Sequence, residues 1–156
     1  MNIAVQNVKL VDVTKNEIDQ MINTLTNKIT MDALHIDYVV GIERGGIHIS
    51  KPVSKILGVP HKSIRISFYK EGTMRANTDP EVDFHGHKFN VKDNVLVVDD
   101  LIDNGHTVKY FQENIACQSK IAVLYWNKKS HYNVKPDYYV EEKLENTWLR
   151  FYWEKK

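Results

Sequence analysis

The residues best placed to do chemistry are three aspartates, Asp99, Asp100 and Asp103, in the stretch VLVVDDLIDNGHT at residues 95–107. Adjacent carboxylates are hard oxygen ligands, suited to Mg²⁺ or to sugar hydroxyls. Asn104, Gly105, His106 and Thr107 follow, and after them a helix-compatible segment from Val108 to about Cys117. A glycine-containing turn that opens into a helix presents successive backbone N–H groups and the positive helix end, which together can hold a phosphate. An isolated D-D-x-x-D is commonly no more than an Asx-rich turn capping a helix. Here, however, the apolar run 95–98 precedes it, as a parallel strand buried on both faces requires. The stretch therefore reads as a phosphate and metal site at the carboxyl end of a strand, where open α/β sheets bind ligands.

A second turn has the same design. GIERGGIHIS, residues 41–50, runs from a buried-type strand (38–42) through Glu43, Arg44, Gly45 and Gly46 into a helix carrying Ile47, Ile49, Val53, Ile56 and Leu57. Alone, its glycines are explained by tight chain reversal. His85 and His87 in FHGHKF have no companion at metal-ligand spacing and read as part of a solvated hairpin, 84–91. Lys128 and Lys129 close another apolar strand, 121–126. By themselves, paired lysines at a strand end are solvated surface.

The elements that must position these residues alternate in type. Residues 8–13 read as a short strand. Thr14 followed by Glu17 is a capping box, and Ile18, Met21, Ile22, Leu25 and Ile29 give the helix after it one buried face. Gly58 and Pro60 end the helix that begins after Gly46. Residues 62–68 alternate as a strand, 138–140 form a further strand, and the C-terminus, TWLRFYWE, is rich in aromatics. Strands alternating with helices predict an α/β fold with a mainly parallel, twisted sheet flanked by helices. Between residues 70 and 93 the apolar periodicity disappears, the mark of a functional lid or a disordered loop inside a compact domain.

Composition sets the outer bounds. The 156 residues suffice for a single domain spanning 1–156, and 42% hydrophobic with 26% charged residues is ordinary for a globular chain. A formal net charge of +1 gives no global attraction to nucleic acid or to a membrane surface, so any anion site must be local. The single cysteine, Cys117, allows no intramolecular disulfide, in keeping with a reducing cytoplasm. It falls on the predicted helix after the loop, as a small buried hydrophobe. No signal-peptide pattern opens the sequence, and no apolar run reaches membrane-spanning length.

Taken together, these motifs resemble a known family. VLVVDDLIDNGHT is similar to the phosphoribosyl-pyrophosphate (PRPP) signature of type I phosphoribosyltransferases, with Asn104 where Thr or Ser is usual. NTWLRFYWE resembles the C-terminal D-x-W-x-x-x-P-W-[DE] of short bacterial and archaeal xanthine-guanine and hypoxanthine phosphoribosyltransferases, with Asn146 for Asp and Tyr152 for Pro. The resemblance covers roughly residues 36–154.

The resemblance implies transfer of a phosphoribosyl group from PRPP to guanine, xanthine or hypoxanthine, with release of pyrophosphate, in purine salvage. It gives Arg44, Gly45 and Gly46 the pyrophosphate, through backbone N–H groups and the Arg44 charge. The chain is expected to bend sharply, through a strained or cis bond, at Glu43–Arg44. Asp103, Asn104, Gly105, His106 and Thr107 would grip the 5′-phosphate. Asp99 and Asp100 would hold ribose hydroxyls and, directly or through water, Mg²⁺. Asp103 has a second role, exchanging a proton with the purine N7. Lys128 or Lys129, with Lys128 preferred, would read a 6-oxo group; Trp148 would stack on the base and the Leu149 backbone would meet its edge. Residues 70–93 would form a mobile hood, and residues 146–154 the base-binding tail. The expected setting is a cytoplasmic homo-oligomer, dimer or tetramer, without nucleic-acid or membrane partners. Two other readings stay open: a regulatory protein of the same fold that binds PRPP or nucleotides, and a phosphoribosyltransferase for another base. Dispersed Lys and Arg speak against the nucleic-acid-binding form of the first.

Overall fold

The computed structural model describes residues 7–70, 73–74 and 79–154. In chain order the elements are β1 (Lys9–Val13), α1 (Lys15–Met31), β2 (Tyr38–Glu43), α2 (Ile47–Leu57), β3 (His61–Ser67), β4 (Tyr69–Lys70) and β5 (Thr73–Met74). Then come β6 (Glu81–Asp83), β7 (Asn94–Ile102), α3 (His106–Asn114), β8 (Gln118–Trp126), β9 (Tyr138–Glu142) and β10 (Thr147–Phe151). A 3₁₀ turn, Tyr152–Glu154, follows β10.

The main sheet has the order β6-β3-β2-β7-β8-β9, with every pair parallel except β3–β6. Its central strands are apolar on both faces because both are covered. In β7, Val95 and Val97 join Val40, Ile42, Ile121 and Val123 in a core closed by Val108 and Phe111 of α3. The alternate residues Leu96 and Val98 join Val39, Ala122 and Leu124 on the other face, under α1 and α2. This division is the two-residue periodicity of a strand made visible.

Local signals behave as their chemistry requires. Thr14 and Glu17 form the capping box reciprocally, and α1 buries Ile18, Met21, Ile22, Leu25 and Ile29. Gly58 caps α2 at φ 71°, a left-handed conformation that suits glycine. Outside the main sheet, β1 and β10 pair in parallel as a separate two-stranded sheet, with Leu10 opposite Trp148 and Val13 opposite Phe151. Arg150 Nε donates to Asp12 Oδ1 across this pair at 2.7 Å.

Some expectations are corrected. Residues 84–91 form no hairpin; instead β6, just before them, pairs antiparallel with the outer strand β3. The helix after the glycine loop begins at His106 and ends at Asn114, so Cys117 lies beyond it, partly exposed at the entry to β8. Ile56 points away from the core at 53% exposure, leaving Ile49 and Val53 to anchor α2. The expected hood lies partly outside the described residues. Within it, β4 and β5 make a minimal antiparallel pair.

Candidate active site

Both glycine turns sit at the carboxyl ends of neighbouring central strands, β2 and β7, and the first turn lies against the acidic pair of β7. A Cβ built on Gly45 would lie 2.2 Å from Asp100 Oδ2, and one on Gly46 would lie 2.4 Å from Ile42 O and 3.0 Å from Asp99 Oδ1. Only residues without side chains let the first loop lie this close to the acidic pair. The peptide bond Glu43–Arg44 is cis, and Arg44 is exposed. Gly46 was expected to offer its N–H to an anion. That N–H instead donates to Ile42 O at 2.9 Å, so the role of Gly46 here is its missing side chain.

Asp99 and Asp100 are packed closely enough that charge is penalised. Burial, and then the charge of Asp100, push the Asp99 carboxyl well above the usual range; burial raises Asp100 too, against hydrogen bonds that favour its ionised form. The Asp100 N–H donates to Asp99 Oδ1 at 2.9 Å. Two adjacent hard-oxygen donors that cannot comfortably both be charged suit a divalent cation. Among the described residues no cluster of three or more His, Cys, Asp or Glu could hold a metal alone. Mg²⁺ is commonly held by one or two carboxylates together with substrate phosphates, so this pair fits it.

A cleft of about 280 Å³ opens above this floor, lined by Phe68, Asp99, Ile102 and the loop 103–108. Gly105 adopts φ 85°, and its would-be Cβ meets Val134 at 3.1 Å, which explains the glycine twice over. The His106 N–H donates to Asn104 Oδ1 at 2.9 Å, an Asx turn that closes the loop onto the start of α3. The helix start then leaves the N–H groups of Thr107 and Val108 without intrahelical partners. The His106 ring is sandwiched between Phe68, 3.5 Å between centroids, and Tyr132, 4.5 Å. Its Nδ1 is buried without a partner, and burial lowers its pKa.

Of the residues expected at the base end, Lys128 follows Asn127, which touches Asp103, whereas none of Lys128, Trp148 and Leu149 lines the cleft. The loop after β8 is held by Asn127 N–H donating to Ile102 O (2.8 Å) and Tyr132 N–H donating to Asn104 O (3.0 Å). Lys128 is exposed and pairs with Glu142 at 3.3 Å, and Lys129 pairs with Glu145. Trp148 lies on β10 with its indole 61% exposed, while Leu149 is packed partly into the core. The end of the tail serves another purpose. Trp153 stacks on His48 at the start of α2 (4.4 Å) and on Phe151 (4.8 Å), fastening the 3₁₀ turn after β10 to the helix that follows the first glycine loop.

Asp103 has partners that no motif announced. Asn127 Nδ2 donates to its Oδ1 at 3.1 Å, and Lys143 Nζ lies 3.9 Å from the same oxygen. Neither partner was visible in the sequence, because each lies just beyond a different strand. The aromatic sandwich around His106 was hidden for the same reason.

A mainly parallel α/β sheet, with two anion-type loops on adjacent strands and an acidic pair between them, defines the type I phosphoribosyltransferase fold. The chain belongs to the phosphoribosyl transferase domain family, whose model matches residues 13–154. Solved structures agree. A purine phosphoribosyltransferase from Pyrococcus horikoshii is 29% identical, with a TM-score of 0.78 over 94% of this chain and 95% of that one. A xanthine-guanine-hypoxanthine phosphoribosyltransferase from Helicobacter pylori is similar in fold at 16% identity, with a TM-score of 0.74 over 93% and 94%. So is a hypothetical protein from Neisseria gonorrhoeae with bound ppGpp, at 20% identity and a TM-score of 0.71 over 94% and 90%. No curated protein matches the sequence.

Proposed function

We propose that the protein transfers the 5-phosphoribosyl group of PRPP to a 6-oxopurine, giving a nucleoside 5′-monophosphate and pyrophosphate. The observation that carries this reading is the packing of the first glycine loop against the acidic pair of β7, the strand that leads into the second glycine loop. A ligand with a phosphate at one end and a diphosphate at the other end of a ribose has the shape that two neighbouring anion cradles select. The purine assignment is supported by Lys128, Trp148 and Leu149, and by the named activity of the P. horikoshii relative.

In this reading the 5′-phosphate lies at the start of α3, against the N–H groups of Thr107 and its neighbours. The N–H groups of Arg44 and Gly45, with the Arg44 guanidinium, hold the pyrophosphate. Asp99 and Asp100 hold ribose hydroxyls and would hold Mg²⁺, which supplies charge neutralisation to the departing pyrophosphate when bound. As the C1′–O bond breaks, positive charge grows on the ribose, and the carboxylates below favour it. The base nitrogen attacks C1′ while Asp103 takes up the proton that the purine must lose. Trp148 and the Leu149 backbone hold the base flat and at its edge, so positioning supplies much of the rate.

The test is a direct assay with PRPP, Mg²⁺ and each of guanine, xanthine, hypoxanthine, adenine, uracil and orotate, following nucleotide formation. Turnover of at least one 6-oxopurine well above the other bases is expected. Turnover of adenine or a pyrimidine alone would overturn the base assignment. Tight PRPP or nucleotide binding with no turnover of any base would favour a regulatory protein of the same fold.

A further inference from the structure

The lysines near the carboxyl ends of β8 and β9 differ in placement. Lys128 and Lys129 are surface residues, their side chains 66% and 78% exposed and paired with Glu142 and Glu145. Lys143 is drawn inward. Its side chain is only 13% exposed, and its ammonium faces Asp103. A lysine is rarely withdrawn from water without a carboxylate to meet it. The backbone fixes that placement, since the Lys143 N–H donates to Trp126 O at 2.8 Å and so locks the residue beside the end of β8.

Asn127 reaches the same carboxylate from the other side. Its amide orientation is set by the Lys129 N–H, which donates to Asn127 Oδ1 at 3.1 Å and turns Nδ2 toward Asp103. Both partners engage Oδ1; neither engages Oδ2. Asp103, its side chain 53% exposed, lines the cleft, and its second oxygen is committed to neither partner.

We propose that Lys143 is a positioning residue for Asp103: with Asn127 it holds Oδ1, so that Oδ2 is the oxygen presented to the base. The inference rests on the reading of Asp103 as the group that exchanges a proton with the purine. When Oδ2 takes that proton, the purine N–H bond breaks, its electron pair stays on the ring, and a neutral carboxyl forms. Oδ1 still accepts from Asn127 and still faces the Lys143 ammonium, so the side chain does not turn during the step. The proton passes to water after the nucleotide leaves.

A double-mutant cycle with K143M and D103N tests this, using PRPP, Mg²⁺ and the fastest of the three 6-oxopurines. A residue that acts through Asp103 has nothing left to act on once Asp103 is replaced. K143M is expected to lower kcat by about tenfold or more, with KM for PRPP within about twofold of wild type. K143R should restore most of the rate. D103N should lose about 10²–10⁴-fold, and D103N/K143M should be no slower than D103N. K143Q, closer to lysine in polarity, repeats the cycle where K143M folds poorly. Losses that multiply, or a K143M enzyme at the wild-type rate, would overturn the inference while leaving Asp103 in place. A D103N enzyme as fast as wild type would instead remove Asp103 from the mechanism, and the inference with it.

Discussion

At the scale of single residues, an exposed indole on an otherwise well-packed strand asks for a partner. Trp148 is 61% exposed, whereas Phe151, three residues on in the same strand, is buried. If the ring is the platform for the base, W148A should weaken base binding by about 1–3 kcal/mol, the range for an aromatic stacked on a nucleobase. That is about 5–150-fold in KM for the base, and KM for PRPP should hardly move. W148F should recover most of the loss. Equal losses for base and PRPP would mean that Trp148 supports the tail rather than the substrate. Residues such as Asp99, Asp103 and Gly105 were legible because strand, turn and helix start lie together in the sequence. Asn127 and Lys143 were not, because they meet Asp103 only when β7, β8 and β9 are laid side by side.

At the scale of elements, the two glycines of the first loop make opposite predictions although they are neighbours. The added methyl of G46A would meet the Ile42 carbonyl at 2.4 Å, and backbone there cannot step aside. Stability should fall by about 1–3 kcal/mol, read from denaturant unfolding, with activity lost alongside. In G45A the obstacle is the tip of the Asp100 side chain, 2.2 Å away, which can swing. Stability should stay close to wild type while the concentration of Mg²⁺ needed for half-maximal rate rises severalfold. The reverse pattern would show that the loop contacts are misplaced.

A second element-scale device lies next to this loop. His85 hydrogen-bonds Glu43, the residue before Arg44, and its Nδ1 is 3.4 Å from Asp83 Oδ1. The hydrogen bond to Glu43 raises the His85 pKa above its ordinary 6.5. A histidine shifted upward contributes its attachment fully below its ordinary pKa and loses it as pH rises through the raised value. Proton NMR should therefore show His85 titrating above 6.5. Amide-exchange protection of residues 84–87, corrected for intrinsic rate, should fall from pH 6 to pH 9 and be flat in H85A. A midpoint at or below 6.5 would remove the latch. The polar sequence of 84–91 suggested only a hairpin; its real anchor, Glu43, lies in a different strand.

At the scale of the whole molecule, the buried strands β2, β7 and β8 were legible because each must be apolar on both faces. The pairing of β1 with β10 was not, since nothing local tells one end of a chain that the other will lie beside it. That closure matters to the site. Trp153 stacks on His48 of α2, and Glu154 lies near enough for its charge to raise Asp100, so the 3₁₀ turn after β10 lies close to the acidic pair. In the proposed reading, PRPP joins the loop after β2 to the loop after β7 across that pair, and Mg²⁺ offsets the penalty that burial imposes on the charge of Asp99 and Asp100. Ligand binding and global stability must then be coupled through the metal. PRPP at a hundred times its Kd adds about 2.7 kcal/mol to the folded state. For a chain of 156 residues that corresponds to about 5–11 °C in Tm. The rise should appear with Mg²⁺ and PRPP together and shrink to a small fraction when EDTA replaces Mg²⁺. In D99N/D100N the difference between the Mg²⁺ and EDTA curves should vanish, because the neutral pair neither repels itself nor attracts a cation. An equal PRPP-induced rise with and without Mg²⁺ would show that the two loops alone bind the ligand and that the acidic pair serves the ribose, not the metal.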